Sequence, residues 1–133
     1  MFFQKLDEAI EQGKSLLIET TLSGRYVRKL FKTWRELNYK ITIIFLSAAS
    51  PEILIERVAE RVKKGGHYVS DEDVRRRFKR GKENFWSIYK NLADSWSLFY
   101  NTNDGFKKVA AGEKDKIITI DEDLFESFLE NTK

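Results

Sequence analysis

Ile41-Thr42-Ile43-Ile44-Phe45-Leu46-Ser47-Ala48-Ala49-Ser50-Pro51-Glu52 is the stretch that decides the fold. Its first six residues are almost continuously β-branched or apolar, the pattern of a strand covered on both faces. Ser50-Pro51 then offers a helix cap followed by proline at the first helical position, where a missing amide and a fixed φ do no harm. The stretch therefore predicts a buried strand leading into a helix that runs to about Lys64.

The flanking segments extend the alternation. Phe2, Phe3, Leu6, Ala9 and Ile10 recur at helical spacing, and Gly13 ends that segment. Leu16-Leu17-Ile18 reads as a short strand with Glu19-Thr20-Thr21 at its C-terminal end. Ser23 caps a helix to Leu37, whose apolar stripe is Val27, Leu30, Phe31, Trp34 and Leu37. Gly65-Gly66 breaks the helix after Pro51, and Ser70-Asp71-Glu72-Asp73 opens another, bent at Gly81 and ending near Ala93. Trp96 to Asn101 is a core strand. Lys107–Ala111 and Lys116–Ile120 form a hairpin, and Asp121 caps a last helix with Leu124, Phe125, Phe128 and Leu129 on one face. Such alternation argues an α/β layer with a mainly parallel sheet, in which ligands sit at the C-terminal ends of the strands.

Composition narrows the function classes. The 133 residues suit a single domain, 1–133, able to bury a real core. With no Cys there are no disulfides or thiolate sites, and with one His no paired-histidine metal site, so no metal ligand is assigned. No apolar run approaches a membrane span, and Asp7 and Glu8 stand where a signal peptide would be apolar; a cytoplasmic protein without a membrane partner is expected. A net charge of +3 excludes a polyelectrolyte binder.

Several motifs carry chemistry. Gly13-Lys14-Ser15 mimics the end of a phosphate loop, but GxxxxGKS/T must lie between a strand and a helix so that loop amides face the phosphates. Here Glu8 takes the first glycine's place and the tripeptide follows a helix, so it is a coincidence. Glu19, Thr20, Thr21, Ser23 and Arg25 can hold a hydroxylated or phosphorylated substrate, or equally cap a helix and pair locally. From Arg57 to Lys82, basic residues far outnumber the acids Glu60, Asp71, Glu72 and Asp73. Arg57 and Arg61 share a helix face at i, i+4, and Arg77 lies beside the stripe of Val74, Phe78, Gly81 and Phe85, which predicts a guanidinium held inward. Converging arginines suit phosphate; the alternatives are a solvated basic face or a nucleic-acid patch with Phe85, Trp86 and Tyr89. Those aromatics fall at core spacing. His67, after two glycines and without a visible partner, reads as a loop anchor rather than a general acid.

Three ordered segments resemble the zeta toxin family of P-loop kinases, especially its branch of predicted ATPases of unknown substrate. They are Ile18-Glu19-Thr20-Thr21-Leu22-Ser23-Gly24-Arg25; Ser50-Pro51-Glu52 with Arg57-Val58-Ala59-Glu60-Arg61-Val62 and Gly65-Gly66-His67; and Arg75-Arg76-Arg77-Phe78-Lys79-Arg80 with Asn84. The resemblance spans about Leu16 to Thr102. It implies an ATP- and Mg2+-dependent transferase with a three-layer P-loop-kinase-like fold, acting on a small hydroxylated acceptor (a UDP-activated amino sugar in the toxins proper). On this chain it implies substrate binding by Glu19, Thr20, Thr21 and Arg25. Phosphate or nucleotide contacts would come from Arg57, Arg61, His67, Arg76 and Arg77. Where relatives often carry Asp-Asn-Ser, this chain has Tyr100-Asn101-Thr102, and no catalytic residue is assigned.

Complete relatives place a strand, the GxxxxGKS/T loop with its helix, and a second strand bearing the catalytic Asp ahead of the resembling part. The 133 residues contain no GxxxxGKS/T. The resemblance thus implies an incomplete sheet lacking its first two strands and phosphate loop, ending in a hairpin and helix, and negligible kinase activity for the chain alone. Unpaired strand edges are expected to close up, join another chain, self-associate or stay marginally stable. The expected ligand is a nucleotide or phosphorylated small molecule. The rival reading is a non-enzymatic or vestigial module that binds anions, nucleic acid or an antitoxin-like protein.

Overall fold

The computed structural model describes residues 22, 24, 26–102, 104–113 and 115–130. The helix expected over Phe2–Ile10, the strand expected at Leu16–Glu19 and the cap at Ser23 lie outside them. The first described helix, α1 (Tyr26–Glu36), buries Val27, Phe31 and Trp34 of the expected stripe with Leu30 packed beside them, but it stops short of Leu37, which is exposed. It leads into β1 (Thr42–Ala48) and then α2 (Pro51–Lys63). Pro51 sits in the first turn as expected, but Ser50, though extended at the cap, makes no side-chain bond to the helix amides.

Glycine chemistry ends α2. The Gly66 amide donates to the Arg61 carbonyl at 2.7 Å and the Gly65 amide to the Val62 carbonyl at 3.0 Å, with Gly65 at φ +89°. These are the paired bonds of a Schellman turn, which needs a left-handed residue after the cap. At the start of α3 (Asp71–Asn84) the Ser70 hydroxyl accepts from the Asp73 amide at 3.2 Å, and three acids occupy the first turn. The irregularity expected at Gly81 falls instead at Phe85–Tyr89, a π-helical segment that continues into α4 (Lys90–Leu92). Gly81 lies inside regular α3. The wider turn carries Phe85 onto Phe45 while Tyr89 reaches Phe31, and both are fully buried.

After α4 the chain forms a meander of β2 (Ser95–Thr102), β3 (Gly105–Glu113) and β4 (Lys116–Thr119), and closes with α5 (Glu122–Glu130). The sheet order is β1-β2-β3-β4. β1 and β2 run parallel, with Thr42 opposite Ser95 and Phe45 opposite Leu98, and α2 to α4 make the crossover. The remaining pairs are antiparallel, so the described sheet is mixed. Its domain is α/β, as expected, and consistent with part of a P-loop-kinase-like fold.

One face of this sheet holds the core. Phe45 stacks on Phe85 at 4.5 Å, and Phe85 meets Trp96 and Phe128 edge-on at 5.6 and 6.2 Å. Trp96 lies opposite Gly112, where a Cβ would come within 2.3 Å of the indole. The opposite face of β1 is open: Ile44 is 63% exposed and Leu46 55%. This corrects the expectation of a strand covered on both faces. Among the described residues β1 is an edge strand, and none of them covers that apolar row.

Candidate functional site

A groove of about 1030 Å3 runs beside β1. Phe31 and Trp34 of α1, Val58 and Arg61 of α2, and Arg77, Phe78 and Lys82 of α3 face it together with β1 itself. Among the described residues Lys40, Arg61, Arg77 and Lys82 line it, and no acidic one does. The helices that follow a parallel strand thus aim cations at one space, an arrangement that raises the local concentration of anions.

Lys82 is the unusual member. It is 2% exposed, its Nζ has no hydrogen-bond partner, and it stands 5.1 Å from the Phe78 ring centroid and 4.8 Å from that of Phe128. The negative ring faces replace part of its lost hydration. Burial pushes its ammonium from 10.5 down to about 8. The inward guanidinium predicted at Arg77 is corrected here, because Arg77 is exposed and Lys82 is the cation held inward. The signal was present: Lys82 follows Phe78 by four residues and Val74 by eight, on the stripe itself.

A smaller cavity of about 240 Å3 lies at the C-terminal ends of β1 and β2, lined by Ala49, Ile53, Arg57, Asn101, Thr102 and neighbouring Tyr100. This is where open parallel sheets place ligands. Burial pushes the Tyr100 phenol up to about 12, against a smaller opposing effect of its hydrogen bond with Ser47, so the group stays a neutral donor.

The residues singled out from sequence are therefore divided. Arg61 and Arg77 come together on the large groove, whereas Arg57, one turn from Arg61, faces the small cavity. Arg76 is tied to Asp73 at 3.0 Å on the surface, and His67 is exposed in the connection between α2 and α3. Glu19, Thr20, Thr21 and Arg25 lie outside the described residues. Asn84 donates to the Leu22 carbonyl at 2.7 Å and the Tyr89 hydroxyl to the Gly24 carbonyl at 3.0 Å, anchoring the two described residues that lie within that motif, between Thr21 and Arg25. Arg75 pairs with Glu52 at 2.7 Å and so holds that exposed carboxyl below its usual range. Phe85 and Tyr89 are core residues, as their spacing predicted, and offer no stacking surface.

A parallel strand pair with basic helices facing the groove beside it is consistent with part of a P-loop-kinase-like α/β protein. The zeta toxin family model matches residues 1–105, and the chain belongs to that family. It is also similar to an uncharacterized protein of Haemophilus influenzae, 31% identical over 70 residues that make up 53% of this chain and 50% of that protein. The chain thus spans about half the length of the curated relative it matches. No solved structure matches it.

Proposed function

We propose that this chain carries the acceptor-binding and lid part of a zeta-toxin-like phosphotransferase, a kinase of a small hydroxylated acceptor such as a nucleotide sugar, and that it turns over no ATP by itself. The observation that supports this reading is the convergence of Arg61 and Arg77 from two helices on a groove that no acidic residue among those described lines. Arginine grips phosphate oxygens in a fixed fork, and in phosphoryl transfer positioning and charge neutralisation are most of the catalysis. These side chains suit the phosphates of ATP. Among the described residues no cluster of carboxylates or histidines suits Mg2+, so no step is derived through the metal. Glu19 and Thr20, with Thr21 and Arg25, hold the acceptor in this reading, while Arg57 faces the strand ends where the acceptor would lie.

Calorimetry with inorganic triphosphate checks the phosphate part. Arg61→Ala and Arg77→Ala should each weaken binding about tenfold with little change in the urea midpoint, as expected for loss of a charge-assisted contact. Unchanged binding in both variants rejects the assignment. A coupled kinase assay showing turnover by the purified chain rejects its predicted inactivity.

A further inference from the structure

A buried ammonium without an acceptor costs free energy for as long as it stays dry. Lys82 is in that state: the residue is 2% exposed and its Nζ has no hydrogen-bond partner. Two rings flank the group, Phe78 from its own helix and Phe128 from α5, with centroids 5.1 and 4.8 Å away. The charged residues of the elements around it do not answer it. On α3 Arg77 and Lys79 are exposed and Glu83 is half-buried, and on α2 Arg61 is exposed. β1 carries no charged residue, and Lys90 of α4 lies over Trp86 at 4.3 Å. On α5 Glu122, Asp123, Glu126 and Glu130 are all exposed.

α5 is pinned at its start and seated by rings beyond it. The Ile120 and Asp121 amides both donate to the Val109 carbonyl of β3, at 2.8 and 3.0 Å. Farther along, Phe125 meets Trp86 at 5.7 Å, and Phe128 meets Trp86, Phe45 and Phe85 at 5.8, 6.2 and 6.2 Å. The ring that seats α5 is thus also a ring that covers Lys82.

We propose that α5 is a latch: it swings off the aromatic cluster about its pinned start at Asp121, letting water reach the Lys82 ammonium, and it reseats firmly when that amine is neutral. Two opposing effects make it releasable. Lifting Phe128 exposes an apolar ring, which opposes opening, whereas hydrating Lys82 recovers the solvation lost on burial, which favours it. An element whose burial is partly cancelled in this way opens locally, before the whole fold does. The sign with pH follows by linkage. Below about pH 8 the seated and lifted states both hold the proton, and opening is easiest. Between about pH 8 and 10.5 only the lifted state holds it, so the seat tightens as pH rises. Lys82 also lines the groove that Arg61 and Arg77 face, so the latch sets whether its charge joins theirs.

Hydrogen exchange of the whole native chain at pH 7 and pH 9, each in a series of low urea concentrations, tests the latch. The amides of Phe128 to Glu130 should exchange through an opening insensitive to urea, and faster than that of Leu98 in the core of β2. After correction for the intrinsic rate, they should be about tenfold better protected at pH 9 than at pH 7. Lys82→Met, of similar length without charge, should raise their protection at pH 7 at least tenfold and abolish the pH effect. Exchange of α5 at the urea-dependent rate of β2 would show that the helix opens only with the whole fold. Protection of α5 that is unchanged in Lys82→Met, or flat with pH in the parent, would show fraying unrelated to Lys82. Either result overturns the proposal.

Discussion

Lys82 shows how one residue can be decided by its neighbours. Its position on the apolar stripe carries the ammonium beneath Phe78 and over Phe128, where burial lowers its proton affinity to a pKa of about 8. Below pH 8 the folded and unfolded chains both hold the proton, and the desolvation cost is fully present. Between about pH 8 and 10.5 the folded amine is neutral while the unfolded one is still charged. The unfolding free energy should therefore rise with pH across that window, by up to about 3 kcal/mol. Urea titrations at pH 7 to 10 check the sign, since a profile that falls through this window contradicts it. Lys82→Met should raise the midpoint at pH 7 and remove the rise.

Among the elements, β2 and β3 depend on a single missing side chain. Gly112 lies across from Trp96, and the indole occupies the space a Cβ would need. Gly112→Val should cost about 1–3 kcal/mol, because a buried ring among Phe85 and Trp86 has nowhere to retreat. A urea midpoint within error of the parent would show that the indole can move. The elements themselves were largely legible beforehand, since caps, glycines and apolar spacing act within a few residues. Ser70, Gly65 and Asp121 all do what their positions predict. The π-helical turn was not legible, because Phe85 and Tyr89 widen it to reach partners on β1 and α1, far away in sequence.

At the scale of the molecule, a small set of bonds holds the layers in register. Asp94 accepts from the Ile41 amide at 2.7 Å, while its own amide donates to the Ile41 carbonyl at 2.8 Å. Arg35 reaches the Leu92 carbonyl at 2.9 Å and stands 3.6 Å from Asp94, so α1, the entry to β1 and the entry to β2 meet at one point. Asp94→Ala leaves the partly buried Ile41 amide without its acceptor and should cost about 1–3 kcal/mol. Arg35→Ala removes a solvated pair and should cost less than about 1 kcal/mol. Equal losses in thermal melts would show that the ion pair, not the amide bond, locks the parallel strands.

The sequence by itself determined the α/β order of elements and the family, because caps, turn glycines and ordered motifs are local or collinear properties. It also located the basic region between Arg57 and Lys82. Only the tertiary structure decided how that region divides: Arg61 and Arg77 toward the groove, Arg57 toward the strand ends, Arg76 back onto Asp73, and Lys82 inward. It also decided that, among the described residues, β1 is covered on one face and open on the other. The reason is physical. Periodicity states which residues seek burial, but which partners reach them depends on contacts between segments distant in the chain.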